Sequence, residues 1–177
     1  MGTDAQATIE TPGAARACCW RRHSGLLVVA LFAVLAFYVR SWEGDLHGDP
    51  VHYGAVARTM VSTGNWLDPQ DAPGVFYARK PPLMFWLVAV NFKLFGISTY
   101  TAKFWSCAFG VGVCLLTYLL GRRLFSETAA LLAGAMSATF PGVVPNVIDL
   151  RLDSAVAFFT VLAIYSALRA AQEGRAR

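Results

Sequence analysis

Two carboxylates and one pair of adjacent cations are the groups in this sequence best suited to chemistry: Asp49, Asp153 and Arg79-Lys80. Lys80 precedes Pro81-Pro82 and so stands at the start of a candidate helix. A cation beside unpaired backbone amides suits a phosphate held at lipid headgroup level. Group transfer from such a phosphate needs a carboxylate to activate the acceptor and a cation to stabilise the leaving oxygens, facing one another across a small gap. Asp49 and Lys80 are of the right types for that pair.

Each group also has a plainer reading. Asp49-Pro50 is a good helix start, with the carboxylate capping free amides and proline in the first turn. Arg79 and Lys80 suit anionic headgroups, and Asp153 can snorkel or pair with Arg151. Tyr53, Trp42, Trp66 and Trp86 fit an interfacial aromatic belt. His52, with His47 and Asp49 nearby, matches no metal-ligand pattern, and no metal ligands are assigned.

The elements that must position these groups are read from composition. Of 177 residues, 56% are hydrophobic and 15% charged, and the apolar residues gather into blocks at 25–39, 104–121, 128–148 and 154–168. None of these blocks contains a charge, and each approaches the roughly 20 residues needed to cross a bilayer. The absence of an ionisable residue in them argues against a transporter or channel. The first block ends in Tyr38-Val39-Arg40-Ser41, without a small-residue cleavage site, so it is expected to remain as an anchor. Net charge is +4, but the basic residues flank apolar blocks instead of forming one patch, which excludes nucleic acid as a partner. Cys18, Cys19, Cys107 and Cys114 lack metal-ligand spacing, and the last two read as packing residues.

The segment 81–95 is apolar but short and carries Lys93, which suits an interfacial helix. Topology gives an independent test. If 81–95 does not cross, the cytoplasmic side collects Arg16, Arg21, Arg22, Arg122, Arg123, Arg169, Arg175 and Arg177. If it crosses, that side keeps only Arg16, Arg21, Arg22, Lys93, Lys103 and Arg151. Arg122 and Arg123, directly after a long apolar run, favour the first arrangement.

The expected architecture is therefore an all-α integral membrane protein with both termini cytoplasmic. Four transmembrane helices are expected at 24–42, 99–121, 126–148 and 152–171, with interfacial helices at 49–63 and 81–95 in the first outer loop. Residues 1–23 and 173–177 are expected to be cytoplasmic tails. Tyr53, Val56 and Met60 give the first surface helix one apolar side, expected to lie along the membrane, and Gly64 stops it. Residues 65–73 carry turn chemistry.

The order of motifs adds a resemblance. The run Asp49-Pro50-Val51-His52-Tyr53-Gly54-Ala55-Val56-Ala57-Arg58-Thr59-Met60, then Ser62-Thr63-Gly64-Asn65-Trp66-Leu67, then Tyr77-Ala78-Arg79-Lys80-Pro81-Pro82-Leu83 resembles the first periplasmic loop of GT-C glycosyltransferases. The closest likeness is to the bacterial family of lipid A aminoarabinose transferase and relatives of protein O-mannosyltransferases. Leu94-Phe95-Gly96, Gly121-Arg122-Arg123-Leu124-Phe125 and Arg151-Leu152-Asp153-Ser154 are similar as well.

The resemblance implies that Asp49 and Asp153 are catalytic and line one cavity, and that Lys80 holds a carrier phosphate. Arg79, Tyr53, His52 and Arg58 would contribute to substrate binding. It implies transfer of a sugar from a polyprenyl-phosphate donor to a lipid or protein hydroxyl at the periplasmic face of the bacterial inner membrane. Pro50 stands where the family usually has an acid, and Arg79 where it often has a glutamate. Both changes remove carboxylates that a divalent metal would use. Family members are also far longer, which leaves a second expectation: a truncated, non-catalytic polyprenyl-lipid-binding protein or a partner subunit completing a larger membrane complex.

Overall fold

The computed structural model describes residues 24–175 apart from 43, 73 and 78; the expected tail at 1–23 lies outside the described residues. Helix α1 spans Ser24–Val39 and ends in a π-helical turn, Leu35–Val39. It is followed by α2 (Asp49–Thr63), strands β1 (Gln70–Ala72) and β2 (Val75–Phe76), and α3 (Leu83–Phe95). Then come α4 (Thr99–Leu124), α5 (Glu127–Thr139), α6 (Val144–Ile148) and α7 (Asp153–Arg175). Helices α4 and α7 are long and apolar enough to cross a membrane, while α1 and α3 are shorter apolar helices.

Local sequence explains most boundaries. Gly64 ends α2 in the left-handed region at φ 71°, its amide donating to the Met60 carbonyl. Ser98 starts α4 with a reciprocal cap: its hydroxyl accepts from the Thr101 amide, and Thr101 Oγ1 accepts from the Ser98 amide. Arg122 and Arg123 occupy the last turn of α4, where the helix dipole favours cations.

The ends of the helices sort into two groups. At one end Tyr38 of α1 donates to the Phe104 carbonyl of α4, Trp42 stacks edge-on against Tyr100, and Ser106 Oγ bridges the backbone N–H and C=O of Arg151 just before α7. At the other end Arg122 pairs with Glu127 at 2.7 Å, and Arg123 Nη1 donates to Gln172 Oε1 at 2.7 Å. Helices α4 and α7 therefore run parallel, with α1 antiparallel to both. Cys107 and Cys114 are buried among Val29, Phe37, Tyr118 and Val147, the packing role expected of them.

Two expectations change. The segment 126–148 is not one continuous helix: α5 stops at Thr139, and the chain turns through Phe140–Val143 before the single turn and a half of α6. Pro141 cannot donate to the helical ladder and its ring crowds the preceding turn, so the break falls at its N-terminal side. The apolar side of α2 is also not its outer side. Tyr53, Val56, Ala57 and Met60 pack on Met84, Phe85, Val88 and Phe92 of α3, closed by Ala102, Leu150 and Leu152. It is α3 that keeps a second, uncovered apolar stripe, Leu83, Trp86, Val90 and Leu94, at helical spacing.

The α2–α3 layer sits at the end of the bundle that holds the start of α7. Lys103, near the start of α4 and only 4% exposed, ties the entry loop there through its ammonium and the Gly44 carbonyl at 2.8 Å.

Candidate active site

A polar cavity of about 260 Å³ lies between α2 and the β1–β2 hairpin, lined by Asp49, His52, Asp71, Val75, Phe76, Tyr77 and Arg79. Helix α2 supplies Asp49 and His52, which at i and i+3 share one face. The hairpin is short and antiparallel, and it is closed by the Tyr77 amide donating to the Pro69 carbonyl at 2.7 Å. It delivers Asp71 from its first strand and Tyr77 and Arg79 from the segment after its second.

Asp49 does not cap α2. Gly48 occupies the cap position at φ 68°, Pro50 sits in the first turn, and there is no side-chain cap hydrogen bond among the described residues. The carboxylate instead accepts a hydrogen bond from the Tyr53 hydroxyl at 3.4 Å. Tyr53 is one turn further along and buried, its ring 5.9 Å from that of Phe85. The acid is thus exposed to the cavity while its partner is anchored in the α2–α3 core.

The electrostatics of the two tyrosines show which charges gather here. Burial, then the Asp49 charge, pushes the Tyr53 phenol up to about 12, and Asp153 also contributes. Burial, then Asp49, raises Tyr77 as well, against the lowering pull of Arg79. Both phenols remain neutral donors near pH 7, and Asp153, the first residue of α7, acts electrostatically on the residue that holds Asp49. Asp153 is exposed and forms no ion pair with Arg151, whose buried Nε has no hydrogen-bond partner among the described residues.

The remaining sequence-expected residues divide. His52 Nδ1 meets Asp71 Oδ2 at 2.8 Å. Arg79 lines the cavity, but Lys80 does not; it is exposed, and the next residue, Pro81, begins the wall of a second space. That space is an apolar groove of about 610 Å³, running from Pro81, Leu83 and Met84 past Leu152 and along Ala155, Phe159 and Ile164 of α7. Arg58 lies nine residues beyond Asp49, half a revolution away on a helix. It lines a separate hollow of about 390 Å³ with Leu46, Phe92 and Ala102. Among the described residues no three or more His, Cys, Asp or Glu side chains gather so as to hold a metal ion.

Sequence reasoning did not assign Asp71 or Tyr77. Tyr77 stood within a family-like motif, whereas Asp71 becomes a site residue only because the hairpin folds it back onto α2.

Residues 79–177 match the family described as dolichyl-phosphate-mannose-protein mannosyltransferase. An Aquifex aeolicus protein of unassigned function is 32% identical over 61% of this chain and 22% of its own length. Undecaprenyl phosphate-alpha-4-amino-4-deoxy-L-arabinose arabinosyl transferase of Pseudomonas savastanoi is 29% identical over 66% of this chain and 22% of its own length. An enzyme of that name from Pseudomonas fluorescens is 33% identical over 66% of this chain and 21% of its own length. The chain thus spans about a fifth of the length of these relatives. No solved structure matches it significantly.

Proposed function

Because the chain belongs to the dolichyl-phosphate-mannose-protein mannosyltransferase family of GT-C membrane glycosyltransferases, we propose that it forms the donor-binding part of such an enzyme. It takes a sugar from a polyprenyl-phosphate carrier at the outer face of the bacterial inner membrane and passes it to a lipid or protein hydroxyl. One observation carries this reading. Arg79 lines the polar cavity, Pro81 lines the apolar groove, and Lys80 stands between them.

A ligand fitting both spaces must be anionic at one end and greasy at the other. A prenyl chain in the groove along α7 places its phosphate beside Lys80 and Arg79. Arginine's planar fork suits two phosphate oxygens, and lysine adds a point charge. The sugar then projects toward Asp49. The acceptor oxygen attacks the anomeric carbon, the bond to phosphate oxygen breaks, and the two cations stabilise the departing phosphate. Asp49, steadied by Tyr53, orients or deprotonates the acceptor, and the charge of Asp153 acts on Tyr53 from the start of α7. The stripe Leu83, Trp86, Val90 and Leu94 rests α3 on the outer leaflet, which sets the cavity at headgroup level.

The test is carrier retention. Full-length chain purified in nanodiscs doped with undecaprenyl phosphate should retain it against excess phosphatidylglycerol. Lys80→Ala, combined with Arg79→Ala, should lose it. Equal retention by wild type and double variant, or displacement by phosphatidylglycerol, removes the carrier from this site.

A further inference from the structure

The contact between His52 and Asp71 is the closest pairing of ionisable groups in the polar cavity, and the reading above leaves it without a role. An ionised carboxylate only accepts hydrogen bonds. The 2.8 Å contact from Asp71 Oδ2 to His52 Nδ1 therefore fixes the proton on Nδ1 and leaves the Nε2 lone pair open. No hydrogen bond engages Nε2 among the described residues. The two partners come from different elements, nineteen residues apart, and the His52 side chain stays 56% exposed while Asp71 is 26% exposed. The imidazole is thus held from one side and accessible on the other.

A carboxylate that fixes the tautomer of an imidazole, and stabilises the imidazolium that forms, makes that imidazole a proton acceptor. His52 is one helical turn from Asp49 on the same wall. The charged and titratable groups facing it are Asp49 on its own helix, Asp71 on β1, and Tyr77 and Arg79 after β2. Tyr77, with its phenol raised by burial, stays protonated and does not compete for a proton.

We propose that His52 is the proton acceptor for the acceptor hydroxyl, with Asp71 as its positioning residue. This rests on the transferase reading and divides the labour within it. As the acceptor oxygen bonds to the anomeric carbon, its proton moves to His52 Nε2. The bond from the anomeric carbon to phosphate breaks, and its electron pair leaves on the phosphate oxygen. The imidazolium then releases the proton to water at the cavity mouth. Asp49 is left to orient the sugar and the acceptor.

The first test needs no turnover. In nitrogen-15 spectra of the full chain in nanodiscs, the His52 signals, assigned by their loss in His52→Gln, should show Nδ1 protonated and Nε2 bare. Asp71→Asn should abolish that tautomer preference. The reverse tautomer in wild type overturns the proposal.

The second test follows sugar loss from synthetic undecaprenyl phosphate mannose across pH. Wild-type rate should fall in acid, because a protonated imidazole can no longer accept the proton. His52→Gln should lose about a hundredfold or more and lack that limb, while still retaining undecaprenyl phosphate. Asp71→Asn should also slow sugar loss, because the imidazole is no longer held in its accepting tautomer. A His52→Gln enzyme with wild-type rate and limb overturns the proposal, as does a wild-type chain that retains carrier but releases no sugar at any pH. If wild type fails even to retain carrier, the transferase reading falls and takes the proposal with it.

Discussion

The Tyr53 hydroxyl, rooted in the α2–α3 core, donates to the Asp49 carboxylate 3.4 Å away, so the acid that faces the cavity is oriented by a residue that belongs to the hydrophobic interior. Helical spacing explains the contact: the residues are four apart, and side chains at that separation meet on one face. Burial of the ring fixes the donor, and the donor fixes the acid.

Tyr53→Phe keeps the ring and removes the donor. The contact is long and partly solvated, so its loss should lower sugar transfer by about five- to tenfold, in keeping with roughly 1 kcal/mol for such a bond. Thermal unfolding should change little, because the packing on Phe85 survives. A variant with wild-type turnover would show that Asp49 needs no such support.

Alkaline titration reports the same pair. The Tyr53 phenol is pushed up to about 12 in the folded chain by burial first and Asp49 second, whereas an unfolded tyrosine ionises near pH 10. Below pH 10 both states hold the proton and stability is unaffected by it. As pH rises from there through the folded value the unfolded state sheds its proton first, and stability declines. Phenolate absorbance should show a late-titrating tyrosine that Asp49→Asn brings to lower pH and Tyr53→Phe removes.

Phe85→Ala tests the layer that carries the cavity. Phe85 is fully buried between Tyr53 and Tyr77, with ring centroids at 5.9 and 5.7 Å. Its truncation should cost about 3–5 kcal/mol. Hydrogen exchange should rise over 49–95 while α4 stays protected. Uniform exchange across the whole chain would mean that the layer does not unfold on its own.

Ser106→Ala probes the joint that places Asp153. Ser106 is buried, and its hydroxyl accepts from the Arg151 amide and donates to the Arg151 carbonyl, both at 3.1 Å. Removing it leaves the Arg151 amide without its partner, at roughly 1–3 kcal/mol, while the carbonyl keeps the Ser154 hydroxyl at 3.0 Å. Thermal stability should drop, and so should transfer, through misplacement of the start of α7. Unchanged stability would make the bridge dispensable.

The residues that carried local information were legible in the sequence. Asp49-Pro50 and Gly64 bound α2, and Pro82 and Gly96 bound α3, because proline and glycine constrain the backbone wherever they stand. The hairpin was not legible: strands of three and two residues are too short for an alternating pattern to emerge from turn-rich sequence. With it went the pairing of Asp71 with His52, which depends on tertiary folding over nineteen residues. Composition gave 128–148 as one apolar block but could not show whether Pro141 would kink the helix or end it. The cap role for Asp49 gave way because Gly48 took the cap position and Tyr53 offered the carboxylate a better partner.

Accessibility of positions 49 and 153 decides the central claim, that both carboxylates face one compartment. In a cysteine-free background in sealed, oriented vesicles, Asp49→Cys and Asp153→Cys should both react with a membrane-impermeant maleimide added to the outer face, and Ser126→Cys, at the far end of α4, should not. Labelling of 49 and 153 from opposite faces would contradict the account.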